Sequence, residues 1–396
     1  MAAARRTRDW DAIVVGLGGL GSAAAYRLAA RRGTRVLGLD RFGFGHDRGA
    51  SHDHSRIIRR SYHRPDYVRL TADAYAAWAE VEAAAGETIL TRTGGLDLFP
   101  PGAAIAEADY ASSMAAEGVP FERLDAATTM RRWPQWRLDD GTVALYQADA
   151  GIADPLRGNE AHRRLAREHG ATLLDHAPVV ALDERRGELA VTTADGATHV
   201  AGRVVLATDA WTNDLLASFG RRLPLTVTRE QVTYFASPEP DVFAPDRFPV
   251  WIWMDDPSFY GFPTYGEPGP KAGQDVGGRE TTADGRDFEK DPDAFGRLVR
   301  FLDRRLPGMA RRELLTKTCL YTLTPDRDLV VDRLPDRPGV VVLLGAAHGY
   351  KFAAVLGRIA AELALDGGST LGPEIAAFGI DRPVLLDPDA ERRFLA

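Results

Sequence analysis

The order of apolar and polar positions along the chain points first to a strand, a helix and a second strand. Residues 11–17, Asp-Ala-Ile-Val-Val-Gly-Leu, form a nearly unbroken apolar run of strand length, which predicts a buried parallel strand. The Ala/Leu spacing of 22–31 predicts a helix and 35–39 a second strand, so the chain opens with a βαβ unit. Helical spacing returns over 66–85 and 155–170, and strand-like runs occupy 90–99 and 204–208. Residues 171–191 predict two strands split by the charged turn at 183–187. From 222 to 318 the pattern changes to aromatic strands and turns, with Trp251, Trp253, Phe259, Tyr260, Phe262 and Tyr265 closely placed. Within that stretch, 266–285 is rich enough in turn residues to predict a mobile loop or lid. The apolar strand at 340–344 and a helix at 352–365 bring the opening pattern back at the end of the chain. No internal repeat or low-complexity tract interrupts it.

Composition narrows the classes. The 396 residues exceed what one core usually organises, and 45% hydrophobic content fills two. A net charge of -7 argues against nucleic-acid binding, leaving the arginines of 56–60 as a local anion site at most. The single cysteine, Cys319, excludes an intrachain disulfide and fits a reducing compartment; taken alone it reads as a small buried hydrophobe. No apolar run approaches the roughly 18 residues of a membrane span. Arg5 and Arg6 before the apolar stretch 12–20 imitate an export signal, but that stretch is dense in glycine and flows straight into a helical pattern. A cytoplasmic protein is the expectation.

Gly16-Leu-Gly18-Gly-Leu-Gly21 falls between the first strand and helix, where backbone amides and the positive helix end hold a pyrophosphate. Asp40, 24 residues after Gly16, ends the second strand and is placed to accept a ribose hydroxyl. These features predict a dinucleotide but do not choose between NAD and FAD, which share the motif. The histidines at 46, 52, 54 and 63 lack the CxxC, HExxH or carboxylate set that completes a metal site, so no metal is expected. No GxSxG elbow supports a hydrolase.

Three further islands join the Gly-rich turn in carrying a resemblance. The segment 49–62 contains Ser51-His52-Asp-His54 and Arg56-Ile-Ile-Arg59; Thr318-Cys319-Leu-Tyr321-Thr322 and His348-Gly-Tyr-Lys351-Phe352 follow, in an order and spacing shared with the Gly-rich turn. Over nearly its whole length the chain resembles the monomeric sarcosine oxidase and N-methyltryptophan oxidase family. The resemblance implies a mixed α/β fold. In that resemblance a Rossmann-type FAD-binding domain would be assembled from 1–90, 145–221 and 319–396, and an interleaved antiparallel-sheet substrate domain from 91–144 and 222–318. It implies oxidation of a secondary amine or N-methyl amino acid to an imine, with O2 reduced to H2O2, by a monomer.

By the same resemblance Cys319 carries FAD covalently through the flavin 8α-methyl, with His52 and Arg56 beside it. The implied cofactor set also includes Gly16, Gly18, Gly21, Asp40, Arg41, Ser51, Val179, Gly345, Gly349 and Lys351. Arg59 and Lys351 match the cations that grip a substrate carboxylate, a task suited to a guanidinium fork. Tyr260 and Tyr321 match cavity tyrosines, and Lys271 the lysine that activates oxygen by fixed charge. Without the motifs, the charged residues read as solvated and the tyrosines as core.

Three departures matter. Asp275 stands where the family has a pocket histidine, and Asp209 stands where this class has a glycine after the strand. Trp251 and Trp253 in the pocket-side stretch suggest a substrate larger or more apolar than sarcosine. A flavin dehydrogenase with another electron acceptor, a cyclic amino acid oxidase acting on proline or pipecolate, and a non-catalytic nucleotide-binding protein are the alternatives.

Overall fold

A computed structural model describes residues 8–393, so Arg5 and Arg6 lie outside the described residues. The first strand, Trp10–Val15, sits at the centre of an eight-stranded sheet. It pairs in parallel with Val36–Leu39 on one side and Thr198–Leu206 on the other. Thr172–Leu174 extends the sheet beyond Val36–Leu39, and Arg337–Leu344 runs parallel to the end of Thr198–Leu206. Strand alternation sends Ala12 and Val14 to one core and Ile13 and Val15 to the other, both fully or nearly fully buried.

The first core is covered by the helices Gly19–Ala29, Pro65–Ala85, Pro155–Glu168 and Ala353–Leu365. Helix Pro155–Glu168 starts where it does because Asp154 accepts from the backbone N–H groups of Leu156 and Arg157, with Pro155 already shaped for the first turn. The expected two strands of 171–191 are three: Thr172–Leu174 belongs to the parallel sheet, and Val179–Arg185 and Glu188–Thr193 form a hairpin beside it. The expected strand 90–99 is broken at Gly94, whose φ of +74° turns the chain. Leu90–Arg92 therefore joins a small sheet with Arg56–Ile58 and Gly151–Ala153, while Gly95–Phe99 enters a second large sheet.

That second sheet has nine strands. Its longest pair, Thr226–Ala236 with Arg312–Leu323, is antiparallel and runs unbroken across position 319. Helix Pro292–Arg305 covers one face of the sheet through Leu298, Leu302 and Phe301, packed on Trp136, Trp251 and Phe259. The expected loop 266–285 is corrected here. Its residues Lys271–Asp275 are an internal strand, paired on one side with Ser258–Phe262 and on the other with Thr226–Ala236, and its first three residues are buried. Among the described residues no helix is long and apolar enough to cross a membrane.

Candidate dinucleotide and substrate site

Two cavities meet between the sheets. The first lies at the carboxyl ends of the parallel strands, where an open α/β sheet binds its ligand. Its floor is backbone. Gly16 has a φ of +86°, and a Cβ there would stand 2.5 Å from the Ala207 carbonyl oxygen. A Cβ on Gly21 would stand 1.7 Å from the Gly16 carbonyl oxygen; Gly21 lies beneath the turn rather than on the cavity wall. Helix Gly19–Ala29 begins without a side-chain cap, so its N-terminal N–H groups are held by neighbours or left to a ligand. Ser51 Oγ takes one of them, from Gly19 at 2.9 Å, and Asp40 Oδ2 accepts from Leu17 at 2.7 Å.

Of the expected cofactor residues, Gly16, Gly18, Asp40, Arg41, Ser51 and Arg56 line this cavity. Val179, Gly345 and Gly349 line it as well. Arg41 sits at its edge and pairs with Asp284 at 3.1 Å. Asp209 also faces in. Its φ of +47° is the left-handed turn that a glycine takes easily and an aspartate tolerates, so the turn survives the substitution. Burial raises the Asp209 carboxyl to about 6.

The second cavity shares Ala50, Arg56, Ala347 and Tyr350 with the first. Strand Arg312–Leu323 forms a wall common to both. Lys317, Cys319 and Tyr321 face the second cavity, while Leu320 and Thr322 face the first, as the two-residue period requires. Ala346 and Ala347, with φ of +43° and +71°, bend the chain back after strand Arg337–Leu344 at the point where the cavities touch. The expected His52, Arg59, Tyr260, Lys271 and Lys351 all line the second cavity too.

Its electrostatics are those of a largely buried site lined with cations. Arg59 Nη1 donates to Asp97 Oδ1 at 2.8 Å and to Ser61, so the residue expected to grip a substrate already holds a buried carboxylate. Burial pushes the Asp97 carboxyl up although Arg59 opposes it. Arg327, φ +60°, pairs with Asp275 at 3.1 Å, which gives the residue at the family's histidine position a partner. Lys271 and Lys317 share Asp53 at 2.8 and 3.0 Å. Arg56 and Lys351 have no carboxylate within ion-pair distance among the described residues. Arg56 is held by the carbonyls of Ala50, His52 and Ser55, and Lys351 Nζ donates to the His348 carbonyl at 2.9 Å. Burial, with Arg59 adding repulsion, lowers Lys351 to about 7.

The remaining groups stay neutral. Burial and the nearby Arg56 lower His52 to about 4, and its buried Nε2 has no hydrogen-bond partner. Burial raises the Cys319 thiol to about 11, against the pull of Arg56. Tyr260 and Tyr321 both line the cavity, and burial raises both phenols far above their ordinary range. The tryptophan expectation is corrected. Trp251 and Trp253 point into the aromatic core under helix Pro292–Arg305, and the residues of that stretch facing the cavity are Ile252 and Met254. Among the described residues no group of three or more His, Cys, Asp and Glu is placed to hold a metal ion.

The fit to a flavin dinucleotide rests on these features: a glycine cradle that any side chain would fill, and a passage into a polar chamber beside the buried cysteine. A family model described as FAD dependent oxidoreductase matches residues 11–363. The chain belongs to the FAD-dependent oxidoreductase family. It is 37% identical to a monomeric sarcosine oxidase of Streptomyces avermitilis over 90% of this chain and 94% of that one. It is 32% identical to an N-methyl-L-tryptophan oxidase of Salmonella arizonae over 90% and 95%. A solved structure of NikD, described as an unusual amino acid oxidase essential for nikkomycin biosynthesis, is similar with a TM-score of 0.82 at 28% identity, over 94% of this chain and 98% of that one.

Reading the sequence missed Asp53, Asp97, Lys317 and Arg327 in this oxidoreductase. None sits in a spaced motif. The one signal was the island 49–62, which contains Asp53 but gives no hint that its side chain meets two lysines more than 200 residues away.

Proposed function

We propose that the protein oxidises a secondary amine, an N-methyl amino acid in the first instance, to an imine while O2 becomes H2O2. The observation that carries this reading is Lys351: a buried ammonium without a carboxylate partner, in the cavity that adjoins the dinucleotide cradle. A substrate carboxylate completes that charge, and burial makes the pairing strong. The residues that would hold FAD are Gly16, Gly18 and Gly21 at the turn, Asp40, Arg41, Ser51 and Val179 along the cradle, and Gly345 and Gly349 at the passage. His52 and Arg56 flank Cys319, the point of covalent attachment in this reading. When bound, FAD supplies the two-electron acceptor for the amine C–H bond and the route of those electrons to O2.

The chain's own residues bind, orient and exclude water. Arg59, fixed by Asp97, lines the same cavity as Lys351 and adds to the positive field there. Tyr260 and Tyr321, with Ile252, Met254 and Phe262, close the cavity around the amine and hold it near its reacting geometry. Lys271 keeps a positive charge on the cavity wall, where negative charge develops on oxygen. In domain terms, the parallel sheet and its helices form the FAD-binding unit and the nine-stranded sheet the substrate unit, with strand Arg312–Leu323 as their common wall.

The test is an absorbance spectrum of purified protein before and after acid precipitation, repeated on Cys319→Ser, followed by an amine screen read as peroxide. Yellow colour retained in the wild-type pellet and lost from the variant's, with peroxide from N-methyl amino acids, is the expected result. Absence of flavin even after reconstitution rejects the oxidase reading; flavin released from the wild type rejects only the covalent link.

A further inference from the structure

The chain has only four lysines, at 271, 290, 317 and 351, among 49 lysines and arginines, and three of the four line the second cavity. Arginine serves nearly everywhere else. A guanidinium is always charged, whereas an ammonium is a compact point charge whose proton responds to its surroundings. The cavity thus concentrates the one kind of cation whose charge the protein can set.

Two of these lysines converge on Asp53. Its Oδ2 accepts from Lys271 at 2.8 Å, its Oδ1 from Lys317 at 3.0 Å and from the Tyr234 hydroxyl at 2.8 Å. Asp53 is 5% exposed and takes a φ of +76°, a left-handed conformation that an aspartate adopts at some cost. The conformation aims its carboxylate at both ammonium groups from the segment that precedes strand Arg56–Ile58. Lys317 continues to Glu267 at 3.2 Å, and Glu267 to His54 at 3.1 Å, so the polar chain reaches the partly exposed edge of the site.

We propose that Asp53 is a positioning residue for the oxygen reaction: its shared carboxylate fixes the Lys271 ammonium on the cavity wall and keeps it charged. The inference rests on the oxidase reading and adds to it the group through which Lys271 is controlled. Lys271 contributes charge, not a consumed proton, so the stoichiometry of amine and O2 to imine and H2O2 is unaltered. The groups facing Lys271 are Asp53, Ser55 and Arg56 from one side, Phe262 and Tyr234 from the neighbouring strands, and Lys317 and Cys319 from strand Arg312–Leu323. Burial lowers Lys271 to about 8, and Asp53 is the main opposing influence, while Arg56 works with burial. Lys317 competes for the same carboxylate.

The opposed effects give a two-sided test. Holoprotein with 13C at the lysine ε carbons shows four signals, assigned by single Lys→Met variants, and each is titrated with pH. Asp53→Asn is expected to lower the Lys271 midpoint by at least about one pH unit, and Lys317→Met to raise it. An unchanged or raised midpoint in Asp53→Asn overturns the proposal. If that variant does not fold, an unchanged or lowered midpoint in Lys317→Met overturns it instead. In parallel, dithionite-reduced holoprotein is mixed with O2 across the same pH range. The alkaline loss of rate should move with the midpoint, to about a tenfold lower rate in Asp53→Asn above its own midpoint. A reoxidation that keeps the wild-type rate and pH profile while the midpoint moves also overturns it. Reduced wild type that reacts with O2 no faster than free flavin removes the oxidase reading on which the proposal stands; an unmoved midpoint beside fast wild-type oxidation removes only the role of Asp53.

Discussion

The two cavities are built on different principles. The first is made mostly of backbone: glycines that let carbonyls and N–H groups come close, a helix end, and strand ends that follow from the βαβ pattern. The second is made of side chains drawn from many separate segments, and its character comes from which charge is neutralised by which. A backbone site fails all at once when a side chain is added. A side-chain site degrades charge by charge, and each loss has its own sign.

The largest expected effect therefore lies in the first cavity. Gly21→Val forces a branched side chain into the Gly16 carbonyl, and on a Cys319→Ser background, where flavin can dissociate, FAD affinity followed by flavin fluorescence should weaken by more than about 100-fold. Retention of stoichiometric flavin in that variant would break the contrast drawn between the cavities.

In the second cavity, Lys351→Met should raise KM for a carboxylate-bearing amine by about 30- to 100-fold, the loss of a buried charge-assisted bond, with a much smaller change for the same amine lacking the carboxylate. A uniform change in both would place Lys351 outside the substrate contact. The lowered Lys351 value also sets a pH dependence. The ammonium is present below about 7 and is lost as pH rises through that point, so the affinity for a simple carboxylate such as propionate, which has no titrating amine, should fall about tenfold per unit above it. A flat profile from pH 6 to 9 would remove Lys351 as the anion site.

Asp97→Ala strands the Arg59 guanidinium in a buried place and should destabilise the fold by about 3 kcal/mol, measured by denaturant unfolding. The smallest effect belongs to the aromatic core. Trp253→Phe should cost about 1–2 kcal/mol of stability and leave the ranking of amine substrates unchanged, whereas Met254→Ala should alter that ranking.

The contrast also explains how much was legible in the sequence. The βαβ unit, the Gly-rich turn and Asp40 were readable because local spacing dictates them. Cys319, Tyr321 and Lys317 share a face for an equally local reason, the strand period, although Lys317 belongs to no motif. The pairing of Arg59 with Asp97 and of Arg327 with Asp275 spans 38 and 52 positions, and no local pattern encodes it. Lys271–Asp275 read as a loop because its glycine and lysine carry weak strand preference; pairing on both sides overrides that preference. Trp251 and Trp253 read as pocket residues because crowding of aromatics says that a surface is buried but not which face of the strand turns inward.

The most direct measurement is an anaerobic titration of the purified flavoprotein with an N-methyl amino acid and with the corresponding amine that lacks the carboxylate, following the visible flavin absorbance. Full bleaching by the amino acid is expected at concentrations where the plain amine bleaches little. Bleaching by neither, or equally by both, would contradict a substrate cavity organised around Lys351.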